Sequence, residues 1–230
     1  MDRISTGIEG IDRQLLGGIP PGSLIAIVAE PQMQSEAILH EMIRRRPTLY
    51  ITTIRDADII RDELEALSQE QLAVKSVRSQ KRIDHTFAKE LTGSATHAMD
   101  SDQREIVDRT YELIQQVDTE MNVIIDPTNP LEETQHKSLY RELLNELKSV
   151  MHETDNVGVL HCLTGGERPP FRDLTLNIAD IVLQLKLASL NDKLEYQVTI
   201  PKNRNDGPML DTLSIRMDER IWVDESRNIS

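Results

Sequence analysis

Few residues in this 230-residue chain combine the right type with a spacing that could do chemistry. Ser5, Ser23 and Ser35 could each act as a nucleophile, yet none sits in a G-x-S-x-G elbow. His161 and Cys162 are adjacent. On a strand they point to opposite faces, and no C-x-x-C or H-x-x-x-H spacing joins them. A metal centre is therefore not expected. Arg168, Phe171 and Arg172 surround a Gly-Gly and Pro-Pro loop, where an aromatic between cations could stack a base and neutralise a phosphate. Glu167 and Asp173 dilute that patch. Arg44-Arg45-Arg46 falls at a helix end, where cations meet the carbonyl end of the dipole.

The elements that must position these residues alternate between two periodicities. Leu24 to Ala29 is six apolar residues in a row, entered through Pro20-Pro21-Gly22, and reads as a strand buried on both faces. A helix is predicted from Ser35 to Arg46, capped by Ser35 and stopped by Pro47. Thr48 to Thr53 is the next strand. Asp56 caps a helix carrying Ile60, Leu64 and Leu67 on one face. Residues 78–102 show weak periodicity and read as an irregular insertion. A helix through Val107, Tyr111 and Ile114 follows, then a strand from Met121 to Ile125 that ends at Asp126-Pro127. A helix over 137–151 and a strand from Val157 to Leu163 complete the alternating part. After Asp173 the stretches 178–187, 194–200 and 209–215 are strand-like with no helix between them. This predicts antiparallel hairpins added to a mostly parallel α/β core, in one domain over residues 1–230.

Composition excludes several classes. There are 39 acidic against 26 basic residues, a net charge of −13. Such a field opposes nucleic acid, whose binding needs Lys and Arg on phosphates. The basic residues are 18 Arg and only 8 Lys. That balance suits a salt-rich, halophilic cytoplasm, where screening weakens the repulsion that keeps proteins apart. A single cysteine forbids an internal disulfide and fits a reducing, cytoplasmic setting. The longest apolar run is far below the ~20 residues that span a bilayer, and no signal-peptide pattern opens the chain.

The opening carries a family likeness. Ser5-Thr6-Gly7-Ile8-Glu9-Gly10-Ile11-Asp12, followed by Leu16-Gly17-Gly18-Ile19-Pro20-Pro21-Gly22-Ser23, resembles the entry to the ATPase core of the KaiC and RadA branch of the RecA superfamily. The resemblance implies a RecA-like core with helices on both faces of the sheet. It also places the phosphate loop G-x-x-x-x-G-K-[ST] on Ala29 to Glu36. Both motif glycines are absent there, as Ala29 and Gln34. Ser35 stands at the lysine position and Glu36 at the metal-binding hydroxyl. A phosphate loop needs glycine conformations and a cation, so this one is degenerate, and Glu30 and Glu36 oppose a triphosphate. Ile54 and Arg55 occupy the positions of the family's water-activating glutamates. Asp126 falls on the Walker B aspartate, where it could serve instead as an acceptor for core hydroxyls. Lys202 and Arg204 match a K-x-R pair that reaches the neighbouring subunit's γ-phosphate in KaiC-type rings.

The resemblance thus implies a degenerate nucleotide site at Ser35, Glu36 and Asp126, with no catalytic or metal-binding residue assigned. Lys202, Arg204, Arg168 and Arg172 are the candidate contact residues. The expected function is a pseudo-ATPase: a non-catalytic regulatory or assembly protein with no cofactor, working with a protein partner or with copies of itself. The alternative is an ATP- and Mg2+-dependent enzyme of signalling or DNA repair with a divergent loop.

Overall fold

Strand β1 (Leu24–Ala29) is buried along its whole length, as its unbroken apolar run requires. The computed structural model describes residues 2–67, 71–78, 95–190, 193–207, 209–217 and 221–223. In it β1 lies inside a nine-stranded sheet of order β3-β2-β4-β5-β1-β6-β7-β8-β9. The parallel part comprises β2 (Thr48–Thr52), β3 (Leu72–Ser76), β4 (Asn122–Asp126) and β5 (Val157–Leu163), together with β1 and the start of β6 (Ile181–Leu190). From β6 onward the pairing turns antiparallel through β7 (Lys193–Asn203), β8 (Met209–Met217) and β9 (Ile221–Val223).

Side-chain alternation sorts the core into two layers. Ile25, Ile27 and Ala29 face the layer holding α1 (Glu9–Gln14), α2 (Glu36–Ile43) and α3 (Ala57–Glu65). Leu24, Ala26 and Val28 face α4 (Ala95–Ile114), α5 (Asn129–Glu132), α6 (Lys137–Thr154) and α7 (Arg172–Ile178). The mostly parallel sheet, the helices on both faces and the C-terminal hairpins are as expected. Asp56 caps α3, its carboxylate accepting from the Asp58 amide at 3.0 Å.

Three local expectations change. Positions 95–102 are helical, the first turns of α4; positions 79–94 of the expected 78–102 insertion lie outside the described residues. Helix α7 occupies Arg172–Ile178, where no helix was expected. It is only about two turns long, too short for a 3.6-residue period to register. Edge strand β3 was also missed, because its Leu-Ala-Val-Lys-Ser sequence is short and only partly apolar.

The entry motif is spent on structure. The Asp12 carboxylate accepts from Ser5 Oγ at 2.5 Å, Thr6 N at 2.8 Å and Thr6 Oγ1 at 2.6 Å. Ile4 and Ile19 exchange backbone hydrogen bonds at 2.8 and 2.7 Å. Gly18 lies at φ +123°, and a Cβ there would stand 2.5 Å from the Ile4 carbonyl oxygen. Gly17 lies at φ +108° in open space. Ala at either position meets backbone strain of order 1–3 kcal/mol. Gly18→Ala adds a clash of about 1–3 kcal/mol. Urea unfolding should therefore rank Gly18→Ala clearly below Gly17→Ala, and equal midpoints would refute this account of the Ile4–Ile19 clasp.

Candidate functional site

Four polar side chains converge at the C-terminal ends of β1, β4 and β5, on the α2 face. Ser35 Oγ lies 2.9 Å from His161 Nε2. His161 Nδ1 lies 2.5 Å from Asp126 Oδ1. The Tyr50 hydroxyl donates to Asp126 Oδ2. All four are buried: Ser35 and His161 are 0% exposed, Tyr50 2% and Asp126 5%.

Sheet register assembles the group. Tyr50 pairs with Ile124, so Asp126, two residues on, shares its face. Ile125 pairs with Leu160, which brings Asp126 beside His161 one step further. His161 in turn sits across from Ile27 of β1, and the chain leaving β1 carries Ser35 over it. The ionised carboxylate can only accept, so Nδ1–H of the ring donates to it. A neutral ring then has Nε2 left to accept the Ser35 hydroxyl proton. Burial alone would push Asp126 up; the His161 ring and the Tyr50 hydroxyl outweigh it and hold the carboxyl below its ordinary range. Tyr50 is pushed up, by burial first and then by the Asp126 charge and hydrogen bond.

Ser35 does not cap α2 with its side chain. Its φ and ψ are helical, and its hydroxyl is directed to His161 instead. Ahead of it the chain makes a tight turn, with Met33 N bonded to Glu30 O at 2.9 Å. Met33 is buried in the same apolar cluster as Ala29, Ile38 and Tyr50. No residue from 29 to 36 has a positive φ. Glu36 stands half-buried in the first turn of α2, and its charge reaches Tyr50.

The candidate contact residues separate. Arg172 is not a surface residue: it is 3% exposed, with its Nε 2.8 Å from both Glu132 oxygens. A buried carboxylate needs a partner, and Glu132 also accepts from Thr175 Oγ1 at 2.5 Å. Lys202 donates to the Leu176 and Asn177 carbonyls at 2.7 and 2.8 Å, and Arg204 donates to the Asn177 carbonyl. Both cations thus close the C-terminal end of α7. Arg168 remains exposed, paired with exposed Asp173. Among the described residues no His, Cys, Asp and Glu group could hold a metal, and no helix is long and apolar enough to cross a membrane.

A family of unknown function, DUF7125, matches residues 3–230. The chain belongs to DUF7125. No curated protein matches it. Solved structures do. The KaiC-like protein PH0186 from the hyperthermophilic archaeon Pyrococcus horikoshii OT3 superposes with a TM-score of 0.65 at 18% identity, covering 96% of this chain and 98% of that one. The flagellar accessory protein FlaH from Methanocaldococcus jannaschii gives a TM-score of 0.66 at 15% identity, with 97% and 99% covered. These likenesses establish a RecA-like fold for this DUF7125 chain.

Residue patterns alone did not mark His161, Tyr50 or Glu132 as partners. The available signal was positional. Once β4 and β5 are placed side by side, an Asp ending one and a His inside the other must meet. The geometry sets an energetic order in this DUF7125 protein. Tyr50→Phe removes one donor to a buried charge and should cost about 1–3 kcal/mol. His161→Leu removes the other donor, leaves the Ser35 hydroxyl without its acceptor and changes the packing, and should cost more, about 2–5 kcal/mol. Because the folded-state value of Asp126 is depressed, its stabilisation is complete above about pH 4 and is lost as acid carries the pH through the lowered value. Urea unfolding between pH 3 and 7 should show that acid limb flattened in Asp126→Asn. An unchanged limb would refute the assignment.

Proposed function

We propose that this chain is a non-catalytic, cytoplasmic regulatory or assembly protein that uses the RecA-like fold as a protein-binding platform. The observation that carries the reading is the Ser35–His161–Asp126–Tyr50 chain of hydrogen bonds. It stands where the resemblance puts the phosphate-loop lysine and the metal-orienting aspartate. The residues present do not fit a Mg2+-nucleotide. Successive backbone amides form an anion nest when right- and left-handed conformations alternate, and residues 29–36 contain no left-handed one. Both Asp126 oxygens already accept from the protein. Glu36 places a carboxylate at the N-terminus of α2, where a phosphate would otherwise be favoured.

The position of the water-activating base supports the same reading. Ile54 stands there and is 52% exposed, while Arg55 is held by Glu63 at 2.5 Å. The order Ser35–His161–Asp126 also matches that of a hydrolase triad. A nucleophile must reach its substrate, however, and Ser35 has no exposed surface.

Calorimetry with ATP and Mg2+ at high potassium tests the proposal. No binding heat is expected up to about millimolar ATP. Micromolar binding that weakens in Asp126→Ala would overturn the reading and make the chain a nucleotide-dependent protein. A fluorophosphonate probe supplies the second arm. No labelling is expected; labelling that disappears in Ser35→Ala would identify a serine hydrolase instead.

A further inference from the structure

The C-terminal end of β1 has a second side. Residues 30–35 turn from it toward the α2 face, whereas residues 164–171 leave β5 and cross over β1 to reach α7 and β6. In open α/β sheets, ligands lodge beyond strand ends where connections part to opposite faces. On the α2 face that crevice is filled by Met33 and the Ser35–His161–Asp126 group. On the α7 face it is a cavity of about 270 Å3.

The lining of the cavity is selective. Val28, Pro169 and Leu176 give it apolar walls. Gln184 is a polar residue inside the apolar run Ile181-Val182-Leu183-Gln184-Leu185, in register with Val28 of β1. Among the described residues its side-chain amide has no hydrogen-bond partner, so it is available to a ligand. The β6–β7 register shifts between Val182 and Gln184, the kind of irregularity that re-aims a side chain beside a site. Two arginines and no carboxylate line the space. Arg172 is neutralised by Glu132 and acts as fixed wall. Arg168 is free to turn, because its pairing with Asp173 is solvent-exposed and worth little.

We propose that this cavity binds a small amphipathic organic anion. A compact apolar body packs against Val28, Pro169 and Leu176. Its carboxylate or phosphate headgroup meets Arg168 and accepts from the Gln184 amide. The volume falls just below the ~300–1,000 Å3 of drug-sized sites, which suits one ring with one headgroup. The cavity lies across the sheet from Asp126 and Ser35, so the ATP experiment does not decide this proposal.

The test uses the full chain with phenyl phosphate, benzoate and, as a neutral control, benzyl alcohol, each titrated by saturation-transfer NMR. At least one of the two anions should bind, and benzyl alcohol should bind more weakly. Arg168→Ala should weaken anion binding about 5–10-fold, since it removes a charge-assisted contact, and leave benzyl alcohol unchanged. Gln184→Leu should weaken it about 3–5-fold. Arg168 is exposed, so its variant should keep the wild-type unfolding temperature, separating loss of binding from loss of fold. Preference for phenyl phosphate or for benzoate would support the proposal and identify the headgroup. No binding of either anion up to millimolar concentration would overturn it, as would binding insensitive to both substitutions. Tight, Arg168-dependent binding of oligothymidine without binding of the small anions would also overturn it, making the loop a nucleic-acid surface.

Discussion

A buried carboxylate forces the structure around it. Asp126 ends a strand whose neighbours are apolar, and it is 5% exposed. An ionised carboxylate taken out of water is tolerable only with donors on both oxygens. In a working ATPase core, metal and water can share that duty. In this chain His161 and Tyr50 supply the donors from within, and Ser35 completes the line by holding the far nitrogen of the ring. Each member satisfies the next, so a partial loss is worse than a wholly apolar site. That makes the group self-contained, with each member partnered from within the chain.

The loop between β1 and α2 agrees with this. Phosphate loops keep glycines because their amides must turn toward an anion in conformations other residues resist. In this chain Met33 N bonds to Glu30 O in an ordinary turn, Met33 packs into the core, and no residue from 29 to 36 takes a left-handed conformation. The entry motif persists for an independent reason. Ser5, Thr6 and Asp12 form a hydrogen-bonded clasp, and Gly7 and Gly18 lie where backbone passes too close for a Cβ. Motif residues that hold the fold and motif residues that hold the nucleotide are therefore under separate physical constraints. One set can disappear while the other remains.

The same separation explains what was legible in the sequence. The six-residue run of β1 and the apolar strands β4 and β5 were readable, because burial on both faces leaves a continuous pattern. The amphipathic face of α6 was readable through its 3.6-residue period. Helix α7 and strand β3 were not, since two turns or five mixed residues carry too little periodicity. That Ser35 stands where the resemblance puts a lysine was visible by position. Its partner was not, because Ser35 and His161 lie 126 residues apart and meet only through the β5–β1 register. Asp126 could be marked as an internal acceptor, but its donors could be named only with strand order in hand.

The basic residues carry the last distinction. Arg172, Lys202 and Arg204 look like functional cations in a chain of net charge −13. Each is committed to an internal acceptor: Arg172 to buried Glu132, Lys202 and Arg204 to the closing carbonyls of α7. Helix α7 is too short to hold itself, and it is fixed at one end by Arg172 and at the other by this pair. The two ends therefore position the lid of the cavity beside β1, with Leu176 between them. A cation used this way shapes the cavity through geometry, whereas Arg168, whose partner is in water, can act on it through charge. This is why substitution of Arg172 would disturb the packing of α7, whereas substitution of Arg168 reads the electrostatics of the cavity alone.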